Sequence, residues 1–254
     1  MQSIRGLPPI RTGDQGGLLD VAVDPEFART SIVYLSYTHG TVDASTVRIL
    51  KGRLDLNRRI LADQAVLFES DPSASANEQL GGRLAVTRDG YLFLSLGDRW
   101  EPGRAQDLSD HAGSFIRIRT DGSVPCTNPF VGVPSAKPEI WSYGHRNPQG
   151  LVADERTGQL WATEHGPPGG DELNLIQAGH NYGWPLVSHG RNYDGSPVGA
   201  GESTAPGVEA PLHVWVPSIA PSGLTLRPEG MACHCGLGHL LARWWFASAL
   251  ATTR

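Results

Sequence analysis

The feature that most constrains the fold is a unit of strand, turn and strand that recurs along the chain. Its copies begin at Leu19, Leu84 and Leu151, 65 and 67 residues apart. The second and third copies are interrupted by Asp/Gly turns, whose residues supply the local hydrogen bond and the positive φ of a tight hairpin. Such regular spacing favours the blades of a β-propeller, and a sandwich of unrelated hairpins is the alternative.

Short β-rich runs predict the strands, and no window of ten or more residues between them keeps a helical period with recognisable caps. The predicted strands are Leu18–Val23, Ser31–Tyr37, Val47–Arg53, Arg83–Thr87, Tyr91–Leu96, Ser114–Arg119 and Gln159–Glu164. The turns between them are predicted at Asp24-Pro25, Arg88-Asp89-Gly90, Thr120-Asp121-Gly122 and Arg156-Thr157-Gly158. The predicted class is all-β with antiparallel pairing.

The length of the repeat sets the domain organisation. At about 65 residues a unit, 254 residues make roughly four blades, so we expect residues 1–226 to form an incomplete propeller. Residues 227–254 lose the alternation of apolar and polar positions, and we expect an aberrant or out-of-frame tail there.

Charge and hydropathy exclude several classes of function. The 21 basic and 26 acidic residues give a net charge of −5, and the basic residues are scattered singly, which argues against a nucleic-acid partner. The longest apolar stretch, residues 240–251, is interrupted by Arg243 and is shorter than the ~20 residues of a membrane span. No apolar segment of a signal peptide follows Met1.

Polar, aromatic and glycine residues are densest in residues 141–150, 163–174 and 180–185. Arg146 and Asn147 could hold a planar anion, because a guanidinium matches carboxylates and an amide matches carbonyls; a surface ion pair is the alternative. Asp171 and Glu172 lie in a loop rich in Gly and Pro, an oxygen-rich setting that suits Ca²⁺, with a solvated turn as the alternative.

Motifs in the same order along residues 7 to about 225 resemble the soluble aldose sugar dehydrogenases, quinoproteins of the glucose/sorbosone dehydrogenase group. They are Gly13-Asp-Gln-Gly-Gly-Leu-Leu-Asp, Gly81-Gly-Arg-Leu, Leu96-Gly-Asp-Arg, Ala105-Gln-Asp-Leu, Asp121-Gly-Ser-Val-Pro, Asn128-Pro-Phe, Trp141-Ser-Tyr-Gly-His-Arg-Asn-Pro and Trp215-Val-Pro-Ser-Ile-Ala-Pro-Ser-Gly. The resemblance implies a six-bladed β-propeller that carries pyrroloquinoline quinone (PQQ) and Ca²⁺ on its loop-rich face.

The resemblance also implies an activity. Aldose sugars would be oxidised to lactones at the anomeric carbon, with electrons passed to a dye or quinone acceptor, in the periplasm. The cofactor contacts that it implies are Gln15, Arg146, Asn147 and Tyr193. The calcium site that it implies contains Glu172 and Tyr182.

One position departs from the pattern. Gln79 occupies the place of the family's general-base histidine, and an amide cannot accept a proton at neutral pH. Glu78, His111, His145 and His165 are alternative bases. The departure keeps open a non-catalytic propeller that binds sugar or calcium, and a calcium-dependent lactone-hydrolysing propeller is a third possibility.

Overall fold

The computed structural model describes residues 3–226 and the backbone of residues 244–247. Its fourteen described strands form antiparallel sheets. They are β1 (Leu18–Val23), β2 (Ile32–Gly40), β3 (Ser45–Asp55), β4 (Ile60–Glu69), β5 (Gly81–Val86), β6 (Tyr91–Leu96), β7 (Ser114–Arg119), β8 (Ile140–Tyr143), β9 (Pro148–Asp154), β10 (Gln159–Glu164), β11 (Asp171–Ile176), β12 (His213–Trp215), β13 (Gly223–Leu226) and β14 (Trp244–Ala247). The described helices are the short α1 (Phe27–Thr30) and a 3-10 turn at Pro102–Gln106.

The strands group into blades. Strands β1 to β4, β5 to β8 and β9 to β12 each form a four-stranded sheet in sequence order, and β13 pairs with β14. The first strands of the sheets lie side by side, β1 against β5, β5 against β9 and β9 against β13. Sheets joined radially through their first strands are the blades of a β-propeller.

Apolar side chains fill the spaces between neighbouring blades. Between the first two blades, Tyr34 and Ile49 pack with Leu94 and Ile116, all buried. A second cluster joins the second blade to the third, around the buried Phe115. Each blade therefore buries a face against its neighbour, which fixes the positions of the loops at the ends of the strands.

The predicted all-β class is confirmed, and β1, β6, β7 and β10 have the predicted bounds. Two predicted turns, closed by Gly90 and Gly158 at positive φ, join neighbouring strands as expected. The other two do not close tight hairpins, because longer connections join their strands. Asp24 accepts a hydrogen bond from the Glu26 backbone and leads into α1, and the Asp121 turn opens the long loop of residues 120–139.

The structure adds strands that the short β-rich runs did not predict. Strand β4 carries the polar Asp63 and Gln64 at its centre, and β11 begins with Asp171 and Glu172, which were expected in a loop. The expected tail lies outside the described residues, apart from the four residues of β14. No helix in the described part of the chain is long and apolar enough to cross a membrane.

Candidate cofactor-binding site

One end of the blade array holds an open cavity of about 270 Å³. Residues just before the first strand of each blade line it: Gln15 before β1, Gln79 before β5, Arg146 and Asn147 before β9, and Ser218 with Ala220 before β13. Because the repeat brings these first strands together, it also brings together residues far apart in sequence. Tyr193 and Trp100 line the same cavity.

The side-chain amide oxygens of the predicted cofactor contacts Gln15 and Asn147 both accept hydrogen bonds from the protein. The Gln79 backbone N–H donates to Gln15 Oε1 at 2.9 Å. Asn147 Oδ1 accepts from Gln149 Nε2 at 2.8 Å and from the Gly81 N–H at 3.3 Å. Neither side-chain NH₂ group has a hydrogen-bond partner within the described part of the chain, so both remain available as donors to a ligand.

Arg146 is held in place from both sides. Its backbone N–H donates to Glu164 Oε2 at 3.1 Å, and its Nη1 donates to the carbonyls of His165 and Gly166 at 3.2 and 2.7 Å. Its Nη2 lies 3.5 Å from the hydroxyl of Tyr193. The side chain is only 5% exposed, so it presents an oriented positive charge to the cavity.

Gln79 is 3% exposed and lies between opposite charges. In the amide orientation that satisfies both neighbours, its nitrogen donates to Asp98 Oδ1 at 2.5 Å and its oxygen accepts from Arg146 Nη2 at 3.3 Å. Asp98 is 1% exposed and also accepts from Trp184 Nε1 at 2.7 Å. Burial raises the pKa of Asp98 to about 6.

The alternative bases are differently placed. The carboxylate of Glu78 accepts from the indole N–H of Trp100, and His165 lines the cavity with its Nε2 2.9 Å from the Pro221 carbonyl. His145 is fully buried against Ser142, and His111 contacts the backbone N–H of Asp71. Of the three histidines, His165 is the one that reaches the cavity.

Asp171 organises the wall of the cavity. Its Oδ1 accepts from the Gly166 N–H at 2.9 Å, and its Oδ2 accepts from the Ser218 hydroxyl and the Ile219 and Ala220 N–H groups at 2.6 to 2.8 Å. These four donors occupy the carboxylate. Asp171 therefore positions two loops of the site, and its oxygens are already committed to protein donors.

Glu172 and Tyr182 line a neighbouring small cavity of about 20 Å³ with Glu164. Asn174 Nδ2 donates to both carboxylates, at 3.2 Å to Glu164 and 3.1 Å to Glu172, while Asn174 Oδ1 is buried without a partner. Burial raises the pKa of both carboxyls, and the charge of Glu164 raises that of Glu172 further. A buried and a half-buried acid beside an unpaired amide oxygen suit a cation.

Tyr182 cannot serve this site through its hydroxyl. The hydroxyl donates to the Leu175 carbonyl at 2.5 Å and accepts from the Gln177 N–H at 2.9 Å. Its ring stacks on His145, with centroids 4.5 Å apart. Within the described residues, no group of three or more His, Cys, Asp or Glu side chains could hold a metal ion.

Sequence reasoning missed several residues that shape the site. Asp98 and Trp100 stand within and directly after the Leu96-Gly-Asp-Arg motif, and Glu164 precedes the loop of residues 165–170. Ser218 could have been identified from its place just before the first strand of a blade, because Gln15 and Arg146 occupy the same place in other blades. The contacts of Asp98 and Glu164 depend on packing across blades, which the sequence does not reveal.

Comparison with known proteins agrees with this architecture. Residues 1–234 match the family model described as glucose/sorbosone dehydrogenase. An uncharacterised protein of Synechocystis is 45% identical over 84% of this chain and 53% of its own length. The aldose sugar dehydrogenase YliI of Escherichia coli is 41% identical over 87% of this chain and 60% of its own.

A solved structure also matches. The PQQ-bound aldose sugar dehydrogenase of Streptomyces coelicolor superposes with a TM-score of 0.69 at 31% identity, covering 85% of this chain and 59% of that one. The chain thus spans between half and two thirds of the length of these relatives. It belongs to the glucose/sorbosone dehydrogenase family.

Proposed function

We propose that this chain forms the cofactor site of a PQQ-dependent aldose dehydrogenase, which oxidises the anomeric carbon of aldose sugars to lactones. The observation that carries the proposal is the set of hydrogen-bond donors that line one cavity, among them two amide NH₂ groups without a partner in the described part of the chain. The NH₂ groups of Gln15 and Asn147, the guanidinium of Arg146 and the hydroxyl of Tyr193 all offer N–H or O–H groups there. This donor set fits a flat anion that carries carboxylates and carbonyls.

The residues have separable roles in this proposal. Arg146 would pair with a carboxylate of PQQ, Gln15 and Asn147 would donate to its oxygens, and Tyr193 would cover its edge. The chemistry that PQQ supplies when bound is the acceptance of two electrons by its quinone. Asp171 keeps the two wall loops in register, so that the donors are in place before a ligand arrives.

We further propose that Ca²⁺ binds at Glu172 and Glu164. The support is the buried Glu164 and the half-buried Glu172, whose carboxylates share the Asn174 amide, with the unpaired oxygen of Asn174. A divalent ion would balance the charge of the two neighbouring carboxylates. Tyr182 could contribute only its backbone carbonyl, since its hydroxyl is committed. The periplasmic location implied by the resemblance stays a prediction.

Gln79 favours a second candidate, a propeller that binds sugar or calcium without turnover. Its amide cannot take the proton of the sugar hydroxyl, and loss of a positioned base costs about 10²- to 10⁴-fold in rate. The Asp98 carboxylate accepts a hydrogen bond from the nitrogen of this amide. The two candidates therefore differ in turnover and not in cofactor binding.

One assay separates the candidates. Purified protein is supplied with PQQ, Ca²⁺, glucose and an artificial electron acceptor, and dye reduction is followed beside the quinone spectrum. Sugar-dependent reduction supports the dehydrogenase, and a bound but silent quinone supports the binding propeller. Cleavage of a lactone without quinone binding would support the third possibility, a hydrolase, and would refute both proposals.

A further inference from the structure

Trp184 is a buried residue that contacts two charged groups of the candidate site. Its indole Nε1 donates to Asp98 Oδ2 at 2.7 Å. Its ring lies beside Arg146, whose guanidinium carbon is 5.4 Å from the ring centroid. The side chain is 8% exposed and does not line the cofactor cavity. Trp184 can therefore act on that cavity only through its neighbours.

Gln79 joins the two charged groups that Trp184 contacts. Its amide nitrogen donates to Asp98, and its amide oxygen accepts from Arg146. Asp98 is 1% exposed and Arg146 is 5% exposed, so solvent screens little of their charge. A shift of either group would therefore change the hydrogen-bonding groups that the cavity presents to a ligand.

A reciprocal pair of amides holds the backbone around Trp184. Gln106 Nε2 donates to Asn181 Oδ1 at 2.9 Å, and Asn181 Nδ2 donates back to Gln106 Oε1 at 2.8 Å. Gln106 Nε2 also donates to the Trp184 carbonyl at 2.7 Å, and the Trp184 N–H donates to the Gly144 carbonyl at 2.9 Å. Gln106 ends the 3-10 turn between β6 and β7, so the second blade holds the segment that carries the indole.

The indole N–H acts on the charge of Asp98. Burial raises the pKa of Asp98, and the hydrogen bond from Trp184 opposes that rise because it stabilises the carboxylate. Arg146 also favours the carboxylate, whereas the charge of Glu164 disfavours it. Phenylalanine would fill most of the same space without donating a hydrogen bond, so the N–H has a consequence that packing alone does not explain.

We propose that Trp184 is a positioning residue of the cofactor site, which holds the Asp98 carboxylate through its indole N–H and the Arg146 guanidinium through its ring. The effect on Asp98 is independent of the proposed function. The effect on Arg146 deepens the proposed function and rests on it, because Arg146 is a proposed contact of the quinone.

The test of the Asp98 contact uses protein without cofactor. Trp184→Phe keeps a ring and loses the N–H, and Gln106→Met loses the amide pair that holds Trp184. Each variant and wild type is prepared with and without Asp98→Asn, and urea unfolding is measured between about pH 4 and pH 8. The difference in unfolding free energy within each pair isolates the titration of Asp98, and it levels off above the pKa that Asp98 has in the folded protein.

We expect this difference to level off about one pH unit higher in Trp184→Phe than in wild type, because the carboxylate loses a donor. Gln106→Met should shift it in the same direction by a smaller amount. Trp161→Phe is the matched control, since Trp161 lies on β10 and lines neither the cofactor cavity nor the small cavity beside it. It should level off at the wild-type pH.

The test of the Arg146 contact is a PQQ titration. Trp184→Phe should bind PQQ within about threefold of wild type, because it keeps an aromatic ring beside the guanidinium. Trp184→Leu should bind about tenfold more weakly, and the control Trp161→Leu should bind like wild type.

Two results overturn the proposal. If Trp184→Phe levels off at the wild-type pH, Trp184 does not hold the Asp98 carboxylate; Gln106→Met decides this point if Trp184→Phe fails to fold. If Trp184→Leu binds PQQ like wild type, Trp184 does not hold Arg146. Wild-type protein that binds no PQQ refutes the proposed function and the Arg146 contact with it, whereas the Asp98 contact is decided by the unfolding curves alone.

Discussion

The site requires a residue without a side chain at position 97, which is occupied by Gly97. A Cβ added there would lie 2.1 Å from the carbonyl oxygen of Gln79 and 3.2 Å from that of Arg146. The first distance is more than 1 Å shorter than an ordinary carbon–oxygen contact, and its partner is backbone, which cannot rotate away. Gly97→Ala must therefore separate the chain segments that present Gln79 and Arg146.

We expect Gly97→Ala to lower the free energy of unfolding by about 2 to 3 kcal/mol, the usual range for forced overpacking. PQQ affinity should fall about tenfold or more, because the donors around the cavity move apart. Urea unfolding followed by tryptophan fluorescence and a PQQ titration measure the two effects.

Gly103→Ala is the matched control, since no atom outside its own turn lies within 4 Å of the Cβ it would add. That variant should stay within about 0.5 kcal/mol of wild type. If Gly97→Ala has the stability and the PQQ affinity of Gly103→Ala, the close approach of the strand ends does not build the site.

Three further predictions follow from buried groups of the site. The raised pKa of Asp98, about 6 against 3.8, means that the folded state holds its proton more tightly, so stability falls as pH rises from about 4 to 6. Asp98→Asn should remove about 3 kcal/mol of the difference in unfolding free energy between pH 4 and pH 7. An equal difference between these pH values in wild type and variant would contradict the prediction. Asp171→Ala should cost about 3 kcal/mol or more, because it leaves four donors without their acceptor; a loss under 1 kcal/mol in urea unfolding would contradict the role assigned to it. Gln79→His should raise dye reduction at saturating PQQ at least tenfold, and a PQQ-bound variant with no gain would show that position 79 is not the base position.

Local sequence chemistry predicted much of the fold. Short β-rich runs predicted β1, β6, β7 and β10, and the turns at Gly90 and Gly158 close because glycine tolerates a positive φ. Strand β4 was not predicted because its centre is polar. Strand β12 was not predicted because three residues are too few to show a period. Asp24 and Asp121 were read as hairpin turns, but an Asp that bonds a backbone N–H two residues on equally starts a helical turn or a loop.

The sequence predicted which residues form the candidate site better than it predicted the hydrogen bonds between them. Gln15 and Tyr193 came from a resemblance, and Arg146 and Asn147 came from their side-chain chemistry as well. The structure brings all four to one cavity; their contact with a cofactor stays a prediction. The hydrogen bonds of Asp171 and Asp98 join segments that are distant in sequence. Asp171 therefore looked like a metal ligand in the sequence, although protein donors occupy it.

The affinity of wild-type protein, Arg146→Gln and Arg88→Gln for PQQ tests the central claim most directly. Arg88 is an exposed arginine paired with Glu155, and it does not line the cavity. Loss of the oriented guanidinium should weaken PQQ binding about 100-fold in Arg146→Gln, while Arg88→Gln binds like wild type. Equal affinity in all three proteins, with unfolding midpoints unchanged, would show that the cavity between Gln15, Arg146, Asn147 and Tyr193 does not hold the quinone.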